Sequence, residues 1–189
     1  MKSVICTASG LAFDPFDPQP EGVVLEDIAH ALAFTPRFGG HCREFYCVAQ
    51  HSIIVCDLVG EALDDPAMRL AALLHDASEA YVLDMPSPIK RRLPDYQQVE
   101  QRVQAVILDR FGVAGAFEAA RSRIKAADTE ALYWEQRDLM PATDWIDVPP
   151  VDRPTLAAWG RVEARDRFFA RARELLPQVS QEPPLAHAG

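Results

Sequence analysis

The chain has 189 residues, with 28 Asp and Glu against 19 Lys and Arg, for a net charge of −9. That acidity argues against a broad nucleic-acid surface but leaves room for a small phosphorylated ligand held by a few local cations. Apolar residues make up 49% and charged residues 25%, the composition of a folded soluble domain, and no apolar run reaches the roughly 18 residues of a membrane span.

Residues 1–22 read as an irregular segment, because three prolines fall within six residues at Pro15, Pro18 and Pro20. Residues 23–34 then carry Leu25, Ile28, Ala29 and Leu32 at helical spacing. His30 within this helix reads as a structural histidine. Pro36–His41 breaks the helix, and Gly39–Gly40 permits a tight turn or a close approach. Arg37 beside that turn suits either a solvated surface charge or an anion binder. Residues 44–58 form the next expected helix, with Val48, His51, Ser52 and Val55 on one face and Phe45, Ile54 and Leu58 helping to bury it.

Asp65 and Pro66 supply an N-cap and a first-turn proline for a third helix. Met68, Leu70, Ala71, Leu73 and Leu74 make it apolar nearly all round, as expected of a central helix that carries His75 and Asp76 inward. The stretch Leu73–Lys90 organises the rest of the chain. It holds His75, Asp76, Glu79, Asp84 and Lys90, and Pro86 and Pro88 end any helix before them. Glu79 would sit one turn beyond His75 on the same face, and Asp84 on a loop.

Residues 95–111 read as an amphipathic helix through Tyr96, Val99, Val103, Val106, Ile107 and Phe111, stopped by Gly112. Residues 116–139 form a longer one, with Ile124, Ala127, Asp128, Ala131, Leu132 and Glu135 along one stripe. Asp128 is the oddity there, a carboxylate facing inward. A loop rich in Pro and Asp spans 140–154. Residues 155–176 form a final helix through Leu156, Trp159, Val162, Phe168, Phe169 and Leu175, ended by Pro177. Residues 177–189 read as a disordered tail with an inert His187. No alternating strand pattern occurs, so the expected fold is all-α, one helical domain over residues 23–176. Met1–Cys6 lacks a signal-peptide core, so the expected compartment is the cytoplasm. Cys6, Cys42, Cys47 and Cys56 have no C-x-x-C spacing, which suits small buried thiols in a reducing compartment and not a cysteine zinc site.

Buried charge is rare unless paired or bound to metal. Three inward positions on three expected helices, His51, His75-Asp76 and Asp128, therefore point to one divalent cation with open positions for water and substrate. Zinc, cobalt and manganese all suit this donor set. The order H…HD…D, with Gln50-His51-Ser52, His75-Asp76-Ala77-Ser78-Glu79, Asp84-Met85-Pro86-Ser87-Pro88-Ile89-Lys90 and Ala126-Ala127-Asp128, resembles the HD-domain metal-dependent phosphohydrolases. The match is closer to their 5′-deoxynucleotidase branch and the related phage-type deoxynucleoside triphosphohydrolases. Arg37-Phe38 resembles the Arg-aromatic pair that precedes the first histidine in that branch. The likeness covers about residues 25–135.

The resemblance implies an HD-domain helical bundle with a central metal site formed by His51, His75, Asp76 and Asp128. It implies Arg37, Phe38 and Lys90 as substrate contacts, Asp84 as the acid that positions water, and Glu79 near the phosphate and leaving oxygen. The residue types fit phosphate chemistry. A divalent ion shields the charge that repels a nucleophile and makes a bound water more acidic, and Arg37 and Lys90 add donors to non-bridging oxygens. The residues alone do not divide the catalytic roles between Glu79 and Asp84. The expected substrate is a small (deoxy)nucleotide, with the 5′-phosphate of deoxynucleoside monophosphates ahead of triphosphates. A binding module without turnover and a purely structural helical protein are the competing readings. No nucleic-acid polymer or membrane is expected as a partner. Association into a homo-oligomer is expected through helix faces, with Trp134, Trp145 and Trp159 as candidate exposed aromatics.

Overall fold

In the computed structural model, which describes residues 4–179, helices dominate and the described strands form one two-stranded sheet. The first element is this small antiparallel sheet, β1 (Ile5–Cys6) with β2 (Ala12–Phe13). The segment expected to be irregular is therefore a hairpin. Strands two residues long cannot display an alternating pattern. What holds them is Phe13, 1% exposed, whose ring stacks on Tyr81 with centroids 3.9 Å apart. The amide and hydroxyl of Ser9 both donate to the buried Asp27 carboxylate.

Helix α1 (Leu25–Phe34) buries Ile28, Ala29, Leu32 and Ala33. The ring of His30 stacks on Phe34 one turn later. Helix α2 (Val48–Ala62) begins four residues later than the hydrophobic spacing suggests. The chain before it is extended, because Arg37 N–H donates to the Tyr46 carbonyl and Val48 N–H to that of Thr35, with Pro36 and Cys47 bridged between them. Helix α3 (Pro66–Leu73) starts as its cap dictates, with Asp65 Oδ1 accepting from Met68 N–H at 3.0 Å. Its Leu70, Ala71, Ala72 and Leu73 are all fully buried, and it packs on α2 as well as on the later helices α7 (Ala114–Leu139) and α8 (Arg161–Val179). Two adjacent alanines, Ala71 and Ala72, let neighbours approach it closely.

Helix α3 stops at Leu73, before His75 and Asp76. Residues 74–78 form a turn, and Glu79 opens a separate short helix, α4 (Glu79–Val82). His75 and Asp76 are thus carried by the turn between two helices. Helix α5 (Ser87–Lys90) makes a single turn out of the proline-rich stretch. Helix α6 (Pro94–Arg110) ends at Gly112, whose φ of 70° is the left-handed geometry that favours glycine.

Helix α8 starts later than the sequence spacing implies. Residues 155–160 are held outside it by side chains from elsewhere: Gln50 donates to the Ala157 carbonyl and accepts from Trp159 N–H, and Asp138 accepts from Leu156 N–H. The helix also continues past Pro177 to Val179, so that proline does not terminate it. The expected tail, with His187, lies outside the described residues. Trp134 and Trp159 are half-buried against the core, each with an arginine over its ring, and only Trp145 of the three is exposed. All four cysteines are free. Cys47 and Cys56 are buried as expected, while Cys6 is exposed. No helix among the described residues is long and apolar enough to cross a membrane.

Candidate metal centre

Two imidazoles meet at the inner end of the α3–α4 turn. His51 comes from the first turn of α2 and is 0% exposed; His75 comes from the turn after α3, and the ring centroids are 5.2 Å apart. Each ring is tied through Nδ1. His75 Nδ1 lies 2.8 Å from the Ala72 carbonyl, which can only accept, so Nδ1 carries the proton. His51 Nδ1 lies 2.6 Å from Glu135 Oε1. Burial alone would raise the Glu135 pKa, but Arg37 and His51 prevail and hold it below the usual carboxylate range. Ionised Glu135 also only accepts, so His51 likewise donates from Nδ1.

On each ring Nε2 is therefore the atom left to ligate a metal once the imidazole is neutral. Both Nε2 atoms are buried, and neither has a hydrogen-bond partner among the described residues. Asp76 Oδ2 lies 3.2 Å from His75 Nε2 and 3.6 Å from His51 Nε2. One ligand atom from each of His51, His75 and Asp76 lies within 4.8 Å of the others. Two imidazoles and a carboxylate in this arrangement could hold a divalent ion, and burying two unpartnered nitrogens without one is costly. Burial would raise Asp76, but His75 and His51 keep it well below the usual carboxylate value. It is thus ready to bind as an anion.

Asp128, on α7, places Oδ1 3.4 Å from His51 Nε2, while its Oδ2 accepts from Lys125 at 2.8 Å. Only its first oxygen faces the cluster. Burial would raise this carboxyl too, but His51, His75 and Lys125 hold it far down.

Arg37 is not at the surface. It is 8% exposed, with Nε and Nη2 on Glu135 Oε2 at 3.1 and 3.0 Å. Its Nη1 points toward Asp76 Oδ2 at 3.9 Å. Of the two sequence readings of Arg37, this burial corrects the solvated surface charge. Phe38 is half-buried and has φ 55°, followed by Gly39 at 60° and Gly40 at 81°. Three consecutive left-handed residues fold the loop so tightly that a Cβ on Gly39 would lie 3.9 Å from Pro86. The loop of Arg37 and Phe38 therefore abuts the loop of Asp84–Lys90.

On that second loop, Lys90 Nζ lies 2.6 Å from Glu100 and 3.6 Å from Glu79. Glu79 is 3% exposed, and its Oε2 has no partner among the described residues. Burial, with Asp76 and Asp84 nearby, pushes its pKa well above the usual value. Asp84 is half-buried and raised by burial and by Asp76, with Arg37, Lys90 and His51 opposing. Arg37, Asp76, Glu79, Asp84 and Lys90 thus act on one another's fields.

Sequence reasoning traced Glu135 along the inward stripe of α7 and passed over it. It is fully buried and accepts from Arg37, from Tyr46 at 2.8 Å and from His51. The signal was its place seven residues after Asp128, two turns along the same stripe.

No family model matches the chain. It is 36% identical over 162 residues to the uncharacterized protein YfdR of Escherichia coli, covering 79% of this chain and 86% of that protein. It is 41% identical over 139 residues to an uncharacterized protein of Rhodobacter capsulatus, covering 69% of this chain and 70% of the other. The chain belongs to the family of these two proteins.

Proposed function

We propose that the chain is an HD-domain metal-dependent phosphohydrolase that removes the 5′-phosphate of deoxynucleoside monophosphates. The observation that carries this reading is the pair of buried imidazoles, each tied through Nδ1 and each offering an unpartnered Nε2 beside Asp76. His51, His75 and Asp76 would hold the ion, with Asp128 as the fourth ligand; zinc, cobalt and manganese suit these donors. When bound, the ion supplies Lewis acidity, which shields the phosphate charge and favours ionisation of water.

The side chains around it supply the rest. Arg37 keeps Nη1 free of Glu135 and directed at the cluster, placed to donate to a non-bridging oxygen. Lys90 adds a second cation and Phe38 an apolar face. Glu79, whose pKa is pushed well up by burial and two carboxylate neighbours, suits donation to the leaving oxygen. Asp84 is less buried and on the loop, and suits aiming the attacking water.

The test supplies purified protein with dAMP and with dATP across zinc, cobalt and manganese, and resolves phosphate from tripolyphosphate. Phosphate from dAMP is the expected product. Tripolyphosphate from dATP alone would move the reading to a triphosphohydrolase. Nucleotide binding without turnover in the metal-loaded protein would make it a binding module.

A further inference from the structure

Glu135 accepts from two groups that the proposed reaction uses separately. Its Oε1 takes the Nδ1 proton of His51 at 2.6 Å, and its Oε2 takes Nε and Nη2 of Arg37 at 3.1 and 3.0 Å. The Tyr46 hydroxyl donates to Oε1 as well, at 2.8 Å. Glu135 is 0% exposed, so no water competes for these positions. A carboxylate with both oxygens occupied by three side chains is fixed in position and orientation.

We infer that Glu135 is a positioning residue that couples metal loading to anion binding. It acts on the metal side by fixing the His51 tautomer, which leaves Nε2 as the only ligating atom. It acts on the anion side by fixing two of the Arg37 nitrogens, which leaves Nη1 facing the ion. A carboxylate behind a ligating imidazole also makes that imidazole a stronger donor. Tyr46 matters because its hydroxyl donates to the same Oε1 that His51 uses and so helps fix that oxygen. This inference rests on the metal centre proposed above, not on the identity of the substrate.

The experiment titrates metal-free protein with cobalt(II), whose visible absorption reports ligand geometry, and then adds inorganic phosphate to the cobalt-loaded protein. Glu135→Gln keeps the shape and one acceptor but faces the Arg37 guanidinium with an amide. Its cobalt affinity is expected to fall roughly 10–100-fold, with an altered cobalt spectrum and weaker phosphate binding. A folded Glu135→Gln protein with wild-type cobalt affinity, spectrum and phosphate binding overturns the inference while leaving the metal centre standing. Wild-type protein that takes up no cobalt overturns both. Should Glu135→Gln fail to fold, the wild type itself decides. Nitrogen-15 NMR of the zinc-loaded protein must show His51 protonated at Nδ1, with that proton slow to exchange. Protonation at Nε2, or a fast-exchanging Nδ1 proton, overturns the inference.

Discussion

The Tyr96 hydroxyl donates to the carbonyl of Leu83 at 2.7 Å, thirteen residues earlier in the chain. Leu83 has φ 72° and ψ 158°, a conformation that is close to exclusive to glycine, and its side chain is 65% exposed. A non-glycine residue there costs about 1–3 kcal/mol, and Asp84 follows it directly. The exposed side chain gives back little burial energy. Leu83→Gly is therefore expected to raise stability in urea by roughly 1 kcal/mol after the added chain entropy of glycine. It should also lower kcat about tenfold or more by loosening the approach of Asp84. A variant less stable than the wild type would show that the strain is not where the backbone places it.

Asp84→Asn separates chemistry from binding. The amide keeps the shape and one acceptor oxygen but loses the charge. Metal content and the calorimetric Kd for nucleotide should stay near wild type, while kcat falls by about two orders of magnitude or more. Unchanged kcat with weakened binding would make Asp84 a substrate contact and pass the catalytic role to Glu79.

Arg37 and Lys90 should part company on stability. Arg37 is buried against Glu135, and Arg37→Ala leaves that carboxylate short of its main counter-charge. The cost should be about 3–5 kcal/mol in equilibrium unfolding. Lys90 is 26% exposed at its side chain, and Lys90→Ala should cost no more than about 1 kcal/mol. Both should impair turnover. Equal stabilities for the two variants would contradict the buried pair.

Metal analysis of purified protein should find one divalent ion per chain, lost in His75→Ala and in Asp128→Ala. Stoichiometric metal in a folded Asp128→Ala protein would reduce the ligand set to His51, His75 and Asp76.

The metal-free protein should lose stability as pH rises while the metal-loaded protein holds level, because the gain in metal affinity offsets the loss. Burial and Arg37 pull His51 down, but Glu135 and Asp128 outweigh them and lift it from 6.5 to about 9. A group raised on folding stabilises fully below its unfolded value, and that stability is lost as pH climbs toward the folded one. Metal-free protein should therefore lose stability between about pH 6.5 and 9. The ion must displace the same proton, so its affinity should rise over that window, by up to about tenfold per pH unit for one proton. Thermal melts with and without zinc across this range measure both slopes. Parallel slopes would rule out His51 as a ligand.

What could be read in the sequence was what neighbouring residues decide. Asp65-Pro66 fixed a helix start, Gly112 a helix end, and apolar spacing located the long helices. What could not be read depended on distant partners. The start of α2 is set by backbone bonds that pair residues 35–37 with 46–48. The start of α8 is set by Gln50 and Asp138. His75 and Asp76 were legible as a pair, but not that a turn carries them. In a straight helix two consecutive residues diverge by about 100°, and the turn removes that difficulty. Glu135 looked like an ordinary polar residue on an amphipathic helix, because the groups that make it exceptional lie 84 to 98 positions away.

Helix α8 covers faces of α1, α2 and α3 with Ala164, Phe168, Ala172 and Leu175, all fully buried. These residues are translated well after Asp128. At about 5–20 residues per second, every proposed ligand leaves the ribosome some seconds before the helix that closes the bundle over α1 and α3. On the proposed reading, an ion present during synthesis would meet all four ligands before α8 can pack against α1 and α3.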